Sequence, residues 1–471
     1  MSRRILDSAW PYFALACLLL AAALASQFRI DLPSRAPAPV EALRELRGRD
    51  DLNVVFLLVD TLRADRMGAY GYARPTTPNI DALARSGVVF ESVVSQSSWT
   101  KTSMASLWTG THPINNGVLR YNHVLPEAAV LPAERFQEAG YRTVGLWRNG
   151  WVEPNFGFSQ GFDTYVRPMP GAERARIHRR TRSPHPLTGT DEDLTIAAVD
   201  FLDRFGGDRF FLYLHYMDLH QYVYDEDSAI FGTSYSDAYD QALHWTDRLV
   251  GFLVARLEKL DILDRTLVVI ASDHGEAFLE HGFEGHARNL YSEVTHVPWI
   301  LLPPFLLEPG VRVAGTLSNA DVWPTLLDIA GLAPLPAADG VSVLPLILEA
   351  GGVQPPVDTA GLERPVFAQL ARGWGTPQTS PRSLLAVTWK GERLIAHLEQ
   401  PDRVELYDLR ADPGETRDLS AIRPEVLREL RALVFAHQAN AKSPWGVPPP
   451  EVELDALRLN QLRALGYVVK P

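Results

Sequence analysis

A single cysteine, Cys17, stands in 471 residues, and one cysteine can form neither an intrachain disulfide nor a cysteine-based zinc site. It also sits inside an apolar run, which makes it a poor nucleophile. Positive charge is in short supply: 45 Lys and Arg face 57 Asp and Glu, for a formal net charge of -12. That balance argues against nucleic acid as the main partner, because binding a phosphate backbone needs clustered Lys and Arg. No oligomerisation signal is readable. What the chain does have is apolar content, 46% of residues, enough to bury a large core in one big domain with an appendage.

Arg3 and Arg4 precede an apolar run over residues 9–25 that is interrupted by Pro11. At about 17 residues the run is just long enough to span a bilayer. Positive residues before it place the N-terminus in the cytoplasm and the body outside. We read residues 1–28 as a membrane anchor, with a cleaved signal segment, and hence a secreted body, left open by Ala23-Leu24-Ala25. Residues 29–50, carrying several Pro and Arg, read as a linker.

The body begins near Asp51. Asn53–Val59 is a continuous apolar run of strand length, as expected of a strand buried on both faces, and Asp60 follows at once. Open α/β sheets hold ligands at the carboxyl ends of their strands, although a lone aspartate there also suits a turn cap. Pro78–Ala84 carries helix start signals. Residues 88–95 are Val-rich and extended, and residues 99–110 then run from hydroxyl side chains into helix-permissive ones, stopping at Gly110. This predicts strand, loop and short helix, with Thr100 or Thr102 near the N-cap. A hydroxyl there faces unpaired N–H groups and suits an anionic group, or serves only as a cap.

Residues 141–147 predict another strand, ending near Arg148-Asn149. Residues 171–190, dense in Arg, Pro and His, predict an exposed loop, either a basic rim for anions or a solvated insertion. Residues 195–205 and 239–260 have helical spacing, and Phe210–Tyr216 reads as a buried strand leading to Asp218-Leu219-His220. Residues 266–276 hold a strand with no polar interior that delivers Asp273 and His274 at its carboxyl end, where Gly275 permits a sharp turn. Carboxylate with neutral imidazole is a common ligand pair for a divalent cation. His281, His286 and His296 follow close behind.

With these residues in place the chain resembles the sulfatase family of the alkaline phosphatase superfamily. The matching segments are Val59-Asp60-Thr61-Leu62-Arg63-Ala64-Asp65, Thr76-Thr77-Pro78-Asn79-Ile80-Asp81, Gly157-Phe158-Ser159-Gln160-Gly161-Phe162-Asp163, Asp218-Leu219-His220 and Ser272-Asp273-His274-Gly275-Glu276. Glu405-Leu406-Tyr407-Asp408-Leu409 and Asp412-Pro413-Gly414-Glu415 resemble the family's C-terminal subdomain. The resemblance implies an α/β fold: an α/β/α sandwich around a large mixed, mostly parallel sheet, with a smaller C-terminal α+β subdomain. It implies a catalytic domain over 51–364 and a C-terminal subdomain and tail over 365–471. It further implies one divalent metal ion, Ca²⁺ by family with Mn²⁺, Mg²⁺ or Zn²⁺ open, held by Asp60, Thr100, Asp273 and His274. Thr100 stands at the nucleophile position, His220 and His286 at positions that contact the transferring group, and Lys101 and Arg148 are expected to bind substrate.

One departure matters. Family members of the usual kind carry a Cys or Ser that is oxidised to formylglycine, followed by a fixed Pro and Arg. This chain has Thr100-Lys101-Thr102-Ser103-Met104, and Thr cannot become that aldehyde. A Thr nucleophile resembles instead the superfamily's phosphatases, phosphodiesterases and membrane phosphotransferases. The implied function is a hydrolase of sulfate or phosphate/phosphonate esters, with an anionic ester, a glycan or a lipid head group, as substrate. A membrane-anchored transferase and a non-catalytic glycan binder are the alternatives.

Overall fold

The computed structural model describes residues 35–169, 189–225, 228–354, 356–371 and 383–454. The apolar N-terminal run, nearly all of the Arg-rich stretch 171–190 and the tail 455–471 lie outside the described residues. Among the described residues, no helix is long and apolar enough to cross a membrane.

Nine of the described strands form one sheet: β1 (Asn53–Val59), β2 (Val88–Val94), β3 (Arg142–Trp147), β4 (Thr164–Val166), β5 (Phe210–Tyr216), β6 (Thr266–Ala271), β9 (His296–Val297), β10 (Trp299–Leu302) and β11 (Val311–Ser318). The spatial order is β11-β2-β10-β6-β1-β5-β3-β4, with β9 beside β2. β1, β3, β4, β5 and β6 run parallel, β11 is parallel to β2, and β10 is antiparallel to both of its neighbours. A short hairpin of β7 (Ala277–Phe278) and β8 (Glu284–Gly285) follows β6.

β1 shows why this sheet must be covered twice. Every residue from Asn53 to Val59 is buried, and successive side chains point to opposite faces. Val54, Phe56 and Leu58 enter one core with the helices Thr100–Thr109, Pro132–Glu138 and Val322–Ala330. Val55, Leu57 and Val59 enter the other, with Pro78–Ala84, Asp191–Phe205 and Tyr235–Lys259. The result is an α/β/α sandwich in which the parallel strands send their carboxyl ends to one rim.

Two helices start earlier than their apolar spacing suggests. Thr190 accepts a hydrogen bond from Asp193 N–H, while the Asp193 carboxylate accepts from Thr190 N–H, so the first begins at Asp191. Ser234 and Asp237 do the same for the second, at Tyr235. A reciprocal cap satisfies the orphan donors of the first turn, which fixes a start that periodicity cannot see.

β12 (Val366–Leu370), β13 (Leu384–Trp389), β14 (Glu392–His397) and β15 (Val404–Asp408) make an antiparallel sheet of sequential neighbours. The helix Pro424–Ala439 buries Leu430 and Val434 against Leu385, Val387, Leu394 and Leu406. The main-chain bond from Gln369 N–H to Gln96 O ties β12 to the larger unit.

Candidate active site

Two strand ends converge. Asp60 leaves β1 with its N–H still bonded to Tyr216 O, Asp273 and His274 follow β6, and all three side chains are fully buried. Thr61, immediately after Asp60, has φ of +62°, a conformation that a β-branched residue adopts only under local strain. It puts Thr61 N–H 3.3 Å from Asp273 Oδ1, which also accepts from His274 N–H at 2.9 Å. Gly275 answers a close approach: a Cβ there would lie 2.2 Å from Glu293 O.

Thr100 is the first residue of a ten-residue helix whose every side chain is buried. The expected cap is not what the structure has. Trp99 occupies the N-cap, no side chain caps the helix, and Thr102 Oγ1 donates to Val118 O at 2.8 Å. Thr100 Oγ1 instead lies 2.9 Å from His274 Nε2. Ser103 Oγ donates to the Asp273 carbonyl at 2.6 Å, which joins this helix to the end of β6.

The donor set fits a divalent cation. Asp60, Asp273 and His274 offer ligand atoms that all lie within 4.8 Å of one another. His274 Nδ1–H donates to Gly275 O at 2.9 Å, which leaves the Nε2 lone pair of a neutral ring facing inward. That lone pair lies 3.3 Å from Asp273 Oδ2 and 3.9 Å from Asp60 Oδ1, and neither oxygen has a hydrogen-bond partner although both are buried. Lone pairs facing lone pairs in a dry site repel unless positive charge sits between them. The two carboxyls respond in opposite directions. Burial and the nearby Asp60 push Asp273 up to about 7, whereas Asp60 is held below the usual range against burial, chiefly by its bond from His215.

Two further histidines border this cluster. The His286 ring lies 4.5 Å from that of His274 and 4.9 Å from that of His220. Burial lowers the pKa of His220 and takes His286 down to about 4. Glu276, pushed up to about 7 by burial, is 3.2 Å from His286 Nδ1.

Two expected substrate contacts are engaged elsewhere. Lys101 Nζ donates to Tyr121 O at 2.6 Å and sits 3.4 Å from the Phe156 ring centroid, turned away by its place on the helix. Arg148 is buried in ion pairs with Asp191 at 2.7 Å and Asp218 at 2.5 Å, and it also donates to Gly189 O and Gln221. It braces the turn that carries His220. His281 and His296 stand apart from the cluster, on Glu293 and on Glu91 O.

Sequence reading passed over three groups here: His215, Asn149 as a partner of Asp60, and Glu276 as a partner of His286. His215 was the most detectable, as a polar ring inside an otherwise apolar strand. No local pattern marks the other two pairings.

The model of the family described as Sulfatase matches residues 52–332. N-acetylgalactosamine-6-sulfatase of Homo sapiens is 26% identical, with 82% of this chain and 85% of that protein covered. Among solved structures, the phosphonate monoester hydrolase of Agrobacterium radiobacter superposes with a TM-score of 0.65 at 18% identity, covering 82% of this chain and 95% of that one. A protein solved with its substrate D-glucosamine-2-N,6-O-disulfate gives a TM-score of 0.64 at 20% identity, covering 83% and 98%. With a family model matching more than half its length over the sheet and rim described above, this chain belongs to the sulfatase family of the alkaline phosphatase superfamily and is an ester hydrolase.

Proposed function

We propose that the chain is a metal-dependent hydrolase of sulfate or phosphate/phosphonate esters in which Thr100 is the nucleophile. The observation that carries this reading is the 2.9 Å approach of Thr100 Oγ1 to His274 Nε2, beside the convergent oxygens of Asp60 and Asp273. A hydroxyl is a weak nucleophile at its ordinary pKa and needs activation. Asp60, Asp273 and His274, with Thr100 alongside, would hold a divalent cation, which when bound would supply positive charge to the hydroxyl and to the ester oxygens. The family resemblance favours Ca²⁺, and the imidazole beside two carboxylates leaves Mn²⁺, Mg²⁺ or Zn²⁺ open.

Thr100 Oγ attacks sulfur or phosphorus in line as the bond to the leaving oxygen breaks, and the proton it gives up passes through His220 or His286 to that leaving oxygen. His220 and His286 bind the group's oxygens or protonate the leaving oxygen, with Glu276 orienting His286. Water then cleaves the ester on Thr100. The sulfatases of sulfated sugars among the relatives support a glycan sulfate as substrate, and the Thr in place of a formylglycine precursor supports a phosphorus ester. The apolar run over 9–25 favours a second reading, transfer of the group to a membrane acceptor by an enzyme tethered with its body outside the cytoplasm.

Purified protein assayed for bound metal and for nitrophenol release from sulfate, phosphate and phosphonate esters, with and without chelator, tests the proposal. Chelator-sensitive release of at least one ester is expected, and an acceptor adduct by mass spectrometry would mark transfer. Metal-loaded protein that turns over none of these esters sinks the hydrolase in favour of a binder.

A further inference from the structure

Adjacent strands β3, β5 and β1 bring together Asn149, His215 and Asp60. His215 pairs in register with Leu58 on one side and Trp147 on the other, so its ring lies beside Asp60, the residue that follows β1. Its Nε2 is 3.1 Å from Asp60 Oδ2, and its Nδ1 is 2.6 Å from the hydroxyl of Tyr213, two residues back on the same strand face. Asn149 Nδ2 donates to the same Oδ2 at 2.5 Å, and its amide orientation is fixed because Asn149 Oδ1 accepts from Trp151 N–H at 2.8 Å. All four side chains are buried.

The proton count is determinate for a singly protonated ring. An ionised carboxylate only accepts, so the proton facing Asp60 must be on His215 Nε2. Nδ1 is then bare, and the Tyr213 hydroxyl donates to it. Both donors land on Oδ2, and Oδ1 remains without one. We propose that His215, with its tautomer set by Tyr213, and Asn149 are positioning residues that lock Asp60 so that Oδ1 faces the ion and thereby set the affinity of the site. This rests on the metal site proposed above. Groups that orient a ligand from behind typically change metal affinity by 10–100-fold when removed.

The test is titration of the full chain, freed of metal, with Mn²⁺ and separately with Ca²⁺ against a competing chelator. His215→Ala should weaken binding roughly 10–100-fold. Tyr213→Phe, nearly isosteric and therefore expected to fold, should weaken it as well, because the ring is free to move its proton to Nδ1 and turn a lone pair on Asp60. His215→Gln restores an N–H at the reach of Nε2 and should recover most of the loss. Imidazole nitrogen shifts in the metal-free protein should report the Nε2–H tautomer for His215 and its loss in Tyr213→Phe. A merely structural role would lower the melting temperature of all three variants and leave their ion affinities equal to wild type, which overturns the inference. If Asp273→Asn abolishes binding while the His215 and Tyr213 variants bind normally, only this inference fails. If the wild-type chain binds neither ion, the proposed metal site fails and takes this inference with it.

Discussion

At residue scale the question is what Thr100 does, since a helix-terminal threonine can serve as a cap or as a reagent. No side-chain cap forms at this helix, so Thr100→Ala should cost little in stability. As nucleophile it should cost about a thousandfold or more in turnover, roughly 4 kcal/mol in barrier. Thr100→Ser keeps the oxygen and should retain measurable activity. The control is Thr102→Ala, whose hydroxyl serves Val118 O and whose loss should leave kcat/KM within about tenfold, ~1.4 kcal/mol. Ser103 is no neutral control, because it holds the Asp273 carbonyl. Normal turnover by Thr100→Ala would remove the covalent mechanism.

Asp273→Asn belongs to the same scale. The retained Oδ1 still accepts from Thr61 and His274 N–H, so the variant should fold, while the inward-facing oxygen becomes an amide N–H₂. Metal content by plasma spectrometry should fall to background together with turnover. Full occupancy in this variant would show that the ligand set is wrong.

At the scale of elements, β1 both carries Asp60 and anchors the core. Phe56 packs 4.6 Å from Trp323 and 6.1 Å from Trp108, and the latter two stack at 5.1 Å. Trp108 lies on the helix that Thr100 begins, so one aromatic cluster fixes both the metal-side strand and the nucleophile helix. Phe56→Ala leaves a cavity there and should cost about 3–5 kcal/mol, read as a lower urea midpoint at unchanged slope. A cost below about 1 kcal/mol would mean that this cluster does not hold the strand.

At the scale of the whole molecule, the smaller sheet is joined to the larger through buried charge. Arg393 of β14 pairs with Glu415 at 3.4 Å and donates to Ser292 and Thr295. His281, on the hairpin after β6, donates from Nδ1 to Glu293 at 2.8 Å and from Nε2 to Glu415 O at 3.0 Å, with its ring stacked on Tyr291. Both of its nitrogens face acceptors, so the ring is an imidazolium. Burial alone would lower its pKa, but the bond to Glu293 and the charge of Glu293 push it up to about 9. A folded value above the unfolded value of about 6.5 means that this contribution is fully present below pH ~6.5 and is lost as pH rises through about 9. Denaturant midpoints across pH 6–9.5 should therefore fall more steeply for wild type than for His281→Gln. Parallel curves would show that His281 does not couple to folding.

The strands that build the rim were legible from sequence because a strand buried on both faces is apolar over most of its length; β1, β5 and β6 stand at the residues their runs predict. The polar residues that break those runs, Asp60, Asp273 and His274, were legible for the same reason. Side-chain direction and long-range pairing were not. A helix start signal does not say whether Lys101 turns toward the site or toward Tyr121, and the charge of Arg148 does not show that Asp191 and Asp218 consume it. The partners of Asp60, His215 and Asn149, lie 155 and 89 positions away in sequence. Periodicity fixes which face a residue takes, but only the order β3-β5-β1 decides which carboxylate it meets there.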